Sequence, residues 1–239
     1  MAFGCAPATA QSVTAIPDIV TKGAPGDVDV LGIVGRLYGR TLTLIQKEFP
    51  DDYTALARRL AEIDSLAGDE RTLLLASFEA FAELRRKYAD RLLFAPSINH
   101  AVMLGRLADF YHGVLGGEGP TVCGRFARDG SGVLFELGLS AKYATALDMQ
   151  SYTLFDAVVQ AIEAPDYAGV VQSEDWSAVL GVMIAAGAPE SYLQTIAAGD
   201  ASDPDLCRAL AAMFRTAGLL DTPEGRRTRA DFAKNLTGY

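Results

Sequence analysis

The chain has 239 residues, 50% of them hydrophobic and 21% charged, a balance that excludes disorder throughout and suits one large core. A net charge of −9 and a sequence pI of 4.7 weigh against a nucleic-acid scaffold, which carries a basic stripe. No apolar run reaches the ~18 residues that a membrane-spanning helix needs.

The first dozen residues, MAFGCAPATAQS, are small and uncharged. Ala8-x-Ala10 followed by Gln11 has the form of a secretory cleavage site, although a basic n-region and a long apolar core are missing. A start inside a longer signal, an artificial start and an ordinary disordered terminus all account for this. Export to the periplasm or beyond is the preferred reading, with the cytoplasm as the alternative. Residues 1–26 are accordingly a signal remnant or a flexible lead-in. The cysteines are Cys5, Cys123 and Cys207. Cleavage after Ala10 would leave a pair, Cys123 and Cys207, which an oxidising compartment could join. The alternative is two buried, unrelated thiols.

Helical spacing begins after Asp27 or Asp29 and carries Val30, Leu31, Val34, Leu37, Tyr38, Ile45 and Phe49 on one stripe. Gly32, Gly35 and Gly39 on this segment point to a close approach by another backbone. Pro50 marks a break, and Asp51 or Asp52 can cap a second helix bearing Tyr53, Leu56, Leu60 and Ile63. A third runs from about Asp69 to Leu93, with Leu74, Phe78, Phe81, Leu84 and Tyr88 inside and Glu79, Glu83, Arg86 and Lys87 facing solvent. Pro96 stops it. Ser97 can cap a fourth helix through Leu115.

The segment Gly116 to Gly138 holds seven glycines in 23 residues. Thr121–Ala127 and Val133–Leu137 flank the turn Asp129-Gly130-Ser131-Gly132, a pattern that points to a short β-hairpin. Helices resume after Ser140. Later segments open at Ser173, Pro189, Pro204 and Pro223 and close at Gly187, Gly199 and Gly218, the expected proline-first, glycine-last asymmetry. The fold class is therefore all-α: a multi-helix bundle of about nine or ten helices. Residues 27–239 form a single helical domain, with lobes 27–115 and 139–239 and the glycine-rich connector 116–138 between them.

Chemistry is sparse. His100 and His112 lie twelve residues apart on one helix, roughly 18 Å along its axis and 120° around it, too far to share an ion. No metal site and no cofactor is expected. Gly116-Gly117-Glu118-Gly119 lacks the lysine of a phosphate loop. The basic cluster Arg226, Arg227, Arg229 and Lys234 reads as a solvated helix face. Trp176, the sole tryptophan, sits in a first helical turn and reads as an anchor for its helix.

One region stands apart. His112, Glu118 and Cys123 fall within a dozen residues, and a thiolate needs a base or a positive charge nearby. Glu118 could alternatively serve as a general acid. A carboxylate at a helix end followed by a hairpin resembles lysozyme-like glycosidases in architecture alone, and the Glu-Ser pair of lytic transglycosylases is absent. The preferred expectation is an exported, non-enzymatic protein-interaction or binding module. It would present the 116–138 segment, with Arg125, Phe126 and Asp129 as candidate contacts, or an adjoining groove. The partner expected is another protein, not nucleic acid. The alternative is a hydrolase, glycosidase-like or cysteine-dependent, with its site near residues 112–125.

Overall fold

The computed structural model describes residues 30–66 and 70–238. The readings of residues 1–26, the cleavage motif and Cys5 included, lie outside them. All regular structure among the described residues is helical. The elements are α1 (Val30–Glu48), α2 (Pro50–Leu66), α3 (Glu70–Lys87), α4 (Ala89–Leu92), α5 (Ser97–Asp129), α6 (Gly132–Glu136), α7 (Ala144–Glu163), α8 (Ser173–Ala185), α9 (Ser191–Ala198), α10 (Leu206–Leu219) and α11 (Pro223–Asn235). A 3₁₀ turn, Leu236–Gly238, follows.

Local chemistry sets most helix ends. Pro50 opens α2 with Asp51 and Asp52 in its first turn, where they complement the helix dipole. Thr222 caps α11, its hydroxyl accepting from the Gly225 amide at 3.3 Å, and Pro223 stands where its missing N–H costs nothing. Gly199 closes α9 at φ +59°, a conformation that favours glycine.

The expected β-hairpin is not formed. Within Thr121–Ala127 the buried positions are Cys123, Gly124, Phe126 and Ala127, whose three- and four-residue steps suit a helix and not a strand. The fourth helix thus continues past Leu115 to Asp129, interrupted only at Gly119 (φ +81°, ψ 179°). Pro120 restarts it, occupying the first helical position of the second segment. The Asp129-Gly130-Ser131-Gly132 turn does form, with Gly130 at φ +74°, but it joins α5 to α6.

A second break opens a docking point. Tyr38 is non-helical inside α1 (φ −135°, ψ 33°), so the amides after it lack intrahelical partners. Asp148 of α7 supplies them: its carboxylate accepts from the Arg40 amide at 3.1 Å, the Thr41 amide at 3.0 Å and the Thr41 hydroxyl at 2.8 Å. The side chain thereby caps a helix from across an interface and fixes α1 against α7. The core is continuous through both halves of the chain, from Leu37, Ile45 and Phe81 to Phe155, Met183 and Phe214.

The close approaches expected at Gly35 and Gly39 are made at other glycines. Cβ atoms at Gly35 and Gly39 would meet open space. A Cβ at Gly124 would instead collide with the Ala201 carbonyl oxygen, and one at Gly225 with that of Leu220. On α10, Gly218 lets the helix lie against α5, where a Cβ would come within 3.3 Å of the Ala101 carbonyl oxygen. Near this seam Cys123 of α5 and Cys207 of α10 are joined in a disulfide, with Cα atoms 6.2 Å apart.

The C-terminal basic cluster is a solvated face only in part: Arg226 is exposed, but Arg227 and Arg229 are built into the fold. Arg229 is 3% exposed and donates through Nη1 to the carbonyls of Gly218 at 3.1 Å and Leu220 at 3.0 Å, satisfying the end of α10. Arg227 forms a bidentate pair with Asp175, at 2.8 and 2.6 Å. Asp175 is 1% exposed and also accepts from the Gln172 amide at 2.8 Å, closing the capping box of α8. The pair therefore ties α8 to α11.

Two consequences are measurable. The cross-link closes a loop with a sequence separation of 84, so its reduction should lower unfolding free energy by about 3–5 kcal/mol in urea denaturation. Cys123→Ala/Cys207→Ala should reproduce that loss and abolish the effect of reductant. Asp175 is held below the usual carboxylate range by the Arg227 hydrogen bonds, and the Gln172 amide adds to this. Its stabilising contribution is present above about pH 4 and disappears as pH falls through the lower, folded-state pKa. Asp175→Asn should destabilise the neutral protein by about 2–4 kcal/mol and flatten the acid limb of the stability profile.

Candidate ligand pocket

The residues singled out by sequence do not converge. Cys123 is fully buried and its sulfur is bonded to Cys207, so it offers no thiolate. Glu118 ends the first segment of α5, where the side chains of Lys142 and Tyr143 hold its carboxylate; the Tyr143 hydroxyl donates at 2.9 Å. The Lys142 hydrogen bond, followed by that of Tyr143, keeps the Glu118 carboxyl below its usual range, the reverse of what a general acid requires. Tyr143 is pushed up to about 12, first by burial and then by Glu118. This trio pins the start of α7 to the break in α5.

His112 is exposed and lines a different feature, a groove of about 460 Å³ floored by small residues of α10 and bordered by Arg208 and Arg215. Neither Glu118 nor Cys123 belongs to it. Both arginines are engaged, with Asp205 at 2.7 Å and Asp109 at 2.8 Å. His100 is buried, with Nε2 2.6 Å from the Leu92 carbonyl oxygen, and burial lowers its pKa. No cluster of three or more metal-ligating side chains occurs among the described residues.

The candidate contacts of the central segment are likewise committed. Arg125 pairs with Glu136 at 2.8 Å. Phe126 lies in the core against Phe110 and Tyr111, with centroids at 4.9 and 5.0 Å. Asp129 accepts two bonds from Arg128, both 2.7 Å.

The second segment of α5 instead forms one wall of an adjoining cavity of about 340 Å³, closed by α8, α9, α10 and α11. The wall is mainly apolar and carries a chain of aromatic rings. Tyr111 lies 5.7 Å from Phe214, Phe214 meets Phe232 edge-on at 5.0 Å, and Phe232 meets Trp176 edge-on at 4.7 Å. The polar groups are Arg128, Asp231 and Asn235, at a volume and composition typical of small-molecule sites. Asp231 accepts from Asn235 Nδ2 at 3.1 Å, and burial raises its pKa.

Two neighbouring features hold this cavity open. Cys207 follows Leu206, a wall residue, so the disulfide fixes α10 to α5 at the cavity edge. Gly199 belongs to the wall, and the loop after it rests on Gly124 through the Ala201 carbonyl. That loop is braced internally: the Asp200 carboxylate accepts from the Ser202 amide and hydroxyl, each at 2.8 Å, and Asp203 accepts from the Thr195 hydroxyl at 2.9 Å.

Among the aromatic side chains of the wall, the sequence marks Trp176 as a helix anchor, and its contact with Phe232 is of that kind. Asp231, Phe214 and Phe232 carried no signal beyond helical spacing. No family model, curated protein or solved structure matches this chain.

The backbone contact at Gly124 should be sensitive to a single methyl group. Gly124→Ala should cost about 2–3 kcal/mol, since a backbone carbonyl has to yield. Gly116→Ala, in the same helix and facing open space, should raise stability by up to about 1 kcal/mol. Thermal unfolding of the two variants provides the comparison.

Proposed function

We propose that the protein is an exported, non-enzymatic binding module that takes a small organic molecule in the aromatic cavity beside the second segment of α5. The aromatic-lined cavity is the observation that carries this reading. Tyr111, Phe214, Phe232 and Trp176 offer apolar faces and edges, with polar groups confined to a few positions. A cross-link and a braced loop hold the walls, so little ordering energy is spent on binding. Export is supported by the disulfide, which persists in oxidising compartments. No helix among the described residues is long and apolar enough to cross a membrane.

The hydrolase alternative draws no support from the geometry. Its three residues are a bonded sulfur, a carboxylate held ionised and a histidine on a separate groove.

Trp176 makes the proposal easy to test, because it is the sole tryptophan and stands in the cavity wall. The neutral fluorophore N-phenyl-1-naphthylamine should bind the oxidised protein saturably at one site, with energy transfer from Trp176. Phe232→Ala should weaken it at least tenfold. Binding without energy transfer, or undiminished in Phe232→Ala, would place the site elsewhere.

A further inference from the structure

The cavity is not purely apolar, and its charges are unequally occupied. Arg128 uses Nε and Nη2 on the two oxygens of Asp129, both at 2.7 Å. Lys234, on the same helix as Asp231, is taken by Asp90 at 2.7 Å. Asp231 stands differently. It is partly buried and accepts from the neutral Asn235 amide; Lys234 acts on it only through space, and it makes no ion pair with any described residue. A partly desolvated carboxylate with no cation in direct contact is costly, and a bound cation relieves that cost. Four aromatic residues share the same wall, and their faces attract cations through the ring quadrupole.

From this arrangement we infer that the ligand is an organic ammonium with an apolar body. Its charged head would pair with Asp231, and its body would lie along Trp176, Phe232 and Phe214. This rests on the cavity being the binding site, as proposed above, and adds the ligand's charge. An anionic ligand fits less well: the cation in the wall, Arg128, is already engaged, and Asp231 would repel it.

Competition against N-phenyl-1-naphthylamine separates the two layers of the argument. The competitors are octylammonium, octanol and octanoate, which share one chain length and differ in head-group charge, each below its micelle concentration at low salt. Octylammonium should displace the probe at a concentration at least tenfold below octanol, with octanoate weakest. In Asp231→Asn the ammonium should fall to the level of octanol, while octanol keeps its wild-type affinity, showing that the pocket is intact. Arg128→Gln should leave the ammonium preference in place. Equal displacement by all three chains, or a preference that survives Asp231→Asn, would overturn the ammonium assignment alone. Failure of both probe and octanol to bind would overturn the pocket itself, and this inference with it.

Discussion

The seam between α5 and α10 is the constraint on which the rest of the molecule depends. Two helices can lie this close only where small residues face each other, and Gly218 of α10 against the Ala101 carbonyl supplies such a point. Cys123 and Cys207 then lock the helices covalently. Around this pair the remaining elements find their places. Phe214 of α10 packs on Tyr111 of α5 and passes the contact to Phe232 of α11, which in turn meets Trp176 of α8. The aromatic chain that lines the cavity is thus an extension of the seam into the core. Moving either helix would misplace the whole wall.

A recurring device joins the other helices. Where a helix is interrupted or ends, its free backbone groups are satisfied by a side chain from a different element. Asp148 serves the amides after the Tyr38 break in α1, and Arg229 serves the carbonyls at the end of α10. Buried backbone polar groups without partners are expensive, so each such contact both repairs a local defect and fixes an interface. Glu118, Lys142 and Tyr143 do related work at the Gly119 break, fastening the start of α7 there. The fold is specified at its irregularities as much as along its regular helices.

This explains which features could be read from sequence. Helix boundaries marked by proline, a capping hydroxyl and glycine, as at Thr222-Pro223 and Gly199, depend on neighbouring residues and were legible. The glycines of 116–138 misled because a count does not reveal conformation. Only Gly119, Gly130 and Gly138 of that stretch adopt positive φ, whereas Gly116, Gly117 and Gly124 sit within α5 as ordinary helical residues. The three- and four-residue spacing of Cys123, Phe126 and Ala127 was the better guide. Arg227 and Arg229 were unreadable for another reason: their partners, Asp175 and the end of α10, are supplied by other elements. The cavity was illegible on the same ground, since its aromatic wall comes from four helices.

The charge distribution links fold to function. Most basic side chains near the cavity and the His112 groove are matched: Arg128 with Asp129, Arg208 with Asp205, Arg215 with Asp109, Arg227 with Asp175 and Lys234 with Asp90. Apart from the buried Arg227–Asp175 pair, these exposed pairs add little stability, but they take up positive charge that would otherwise compensate Asp231. In a chain of net charge −9, the surplus carboxylates mostly face water, where solvation costs nothing. Asp231 differs in being partly withdrawn into an aromatic wall. A carboxylate kept there at a cost to stability is the kind of local inconsistency that binding sites retain, because the missing counter-charge can arrive with the ligand.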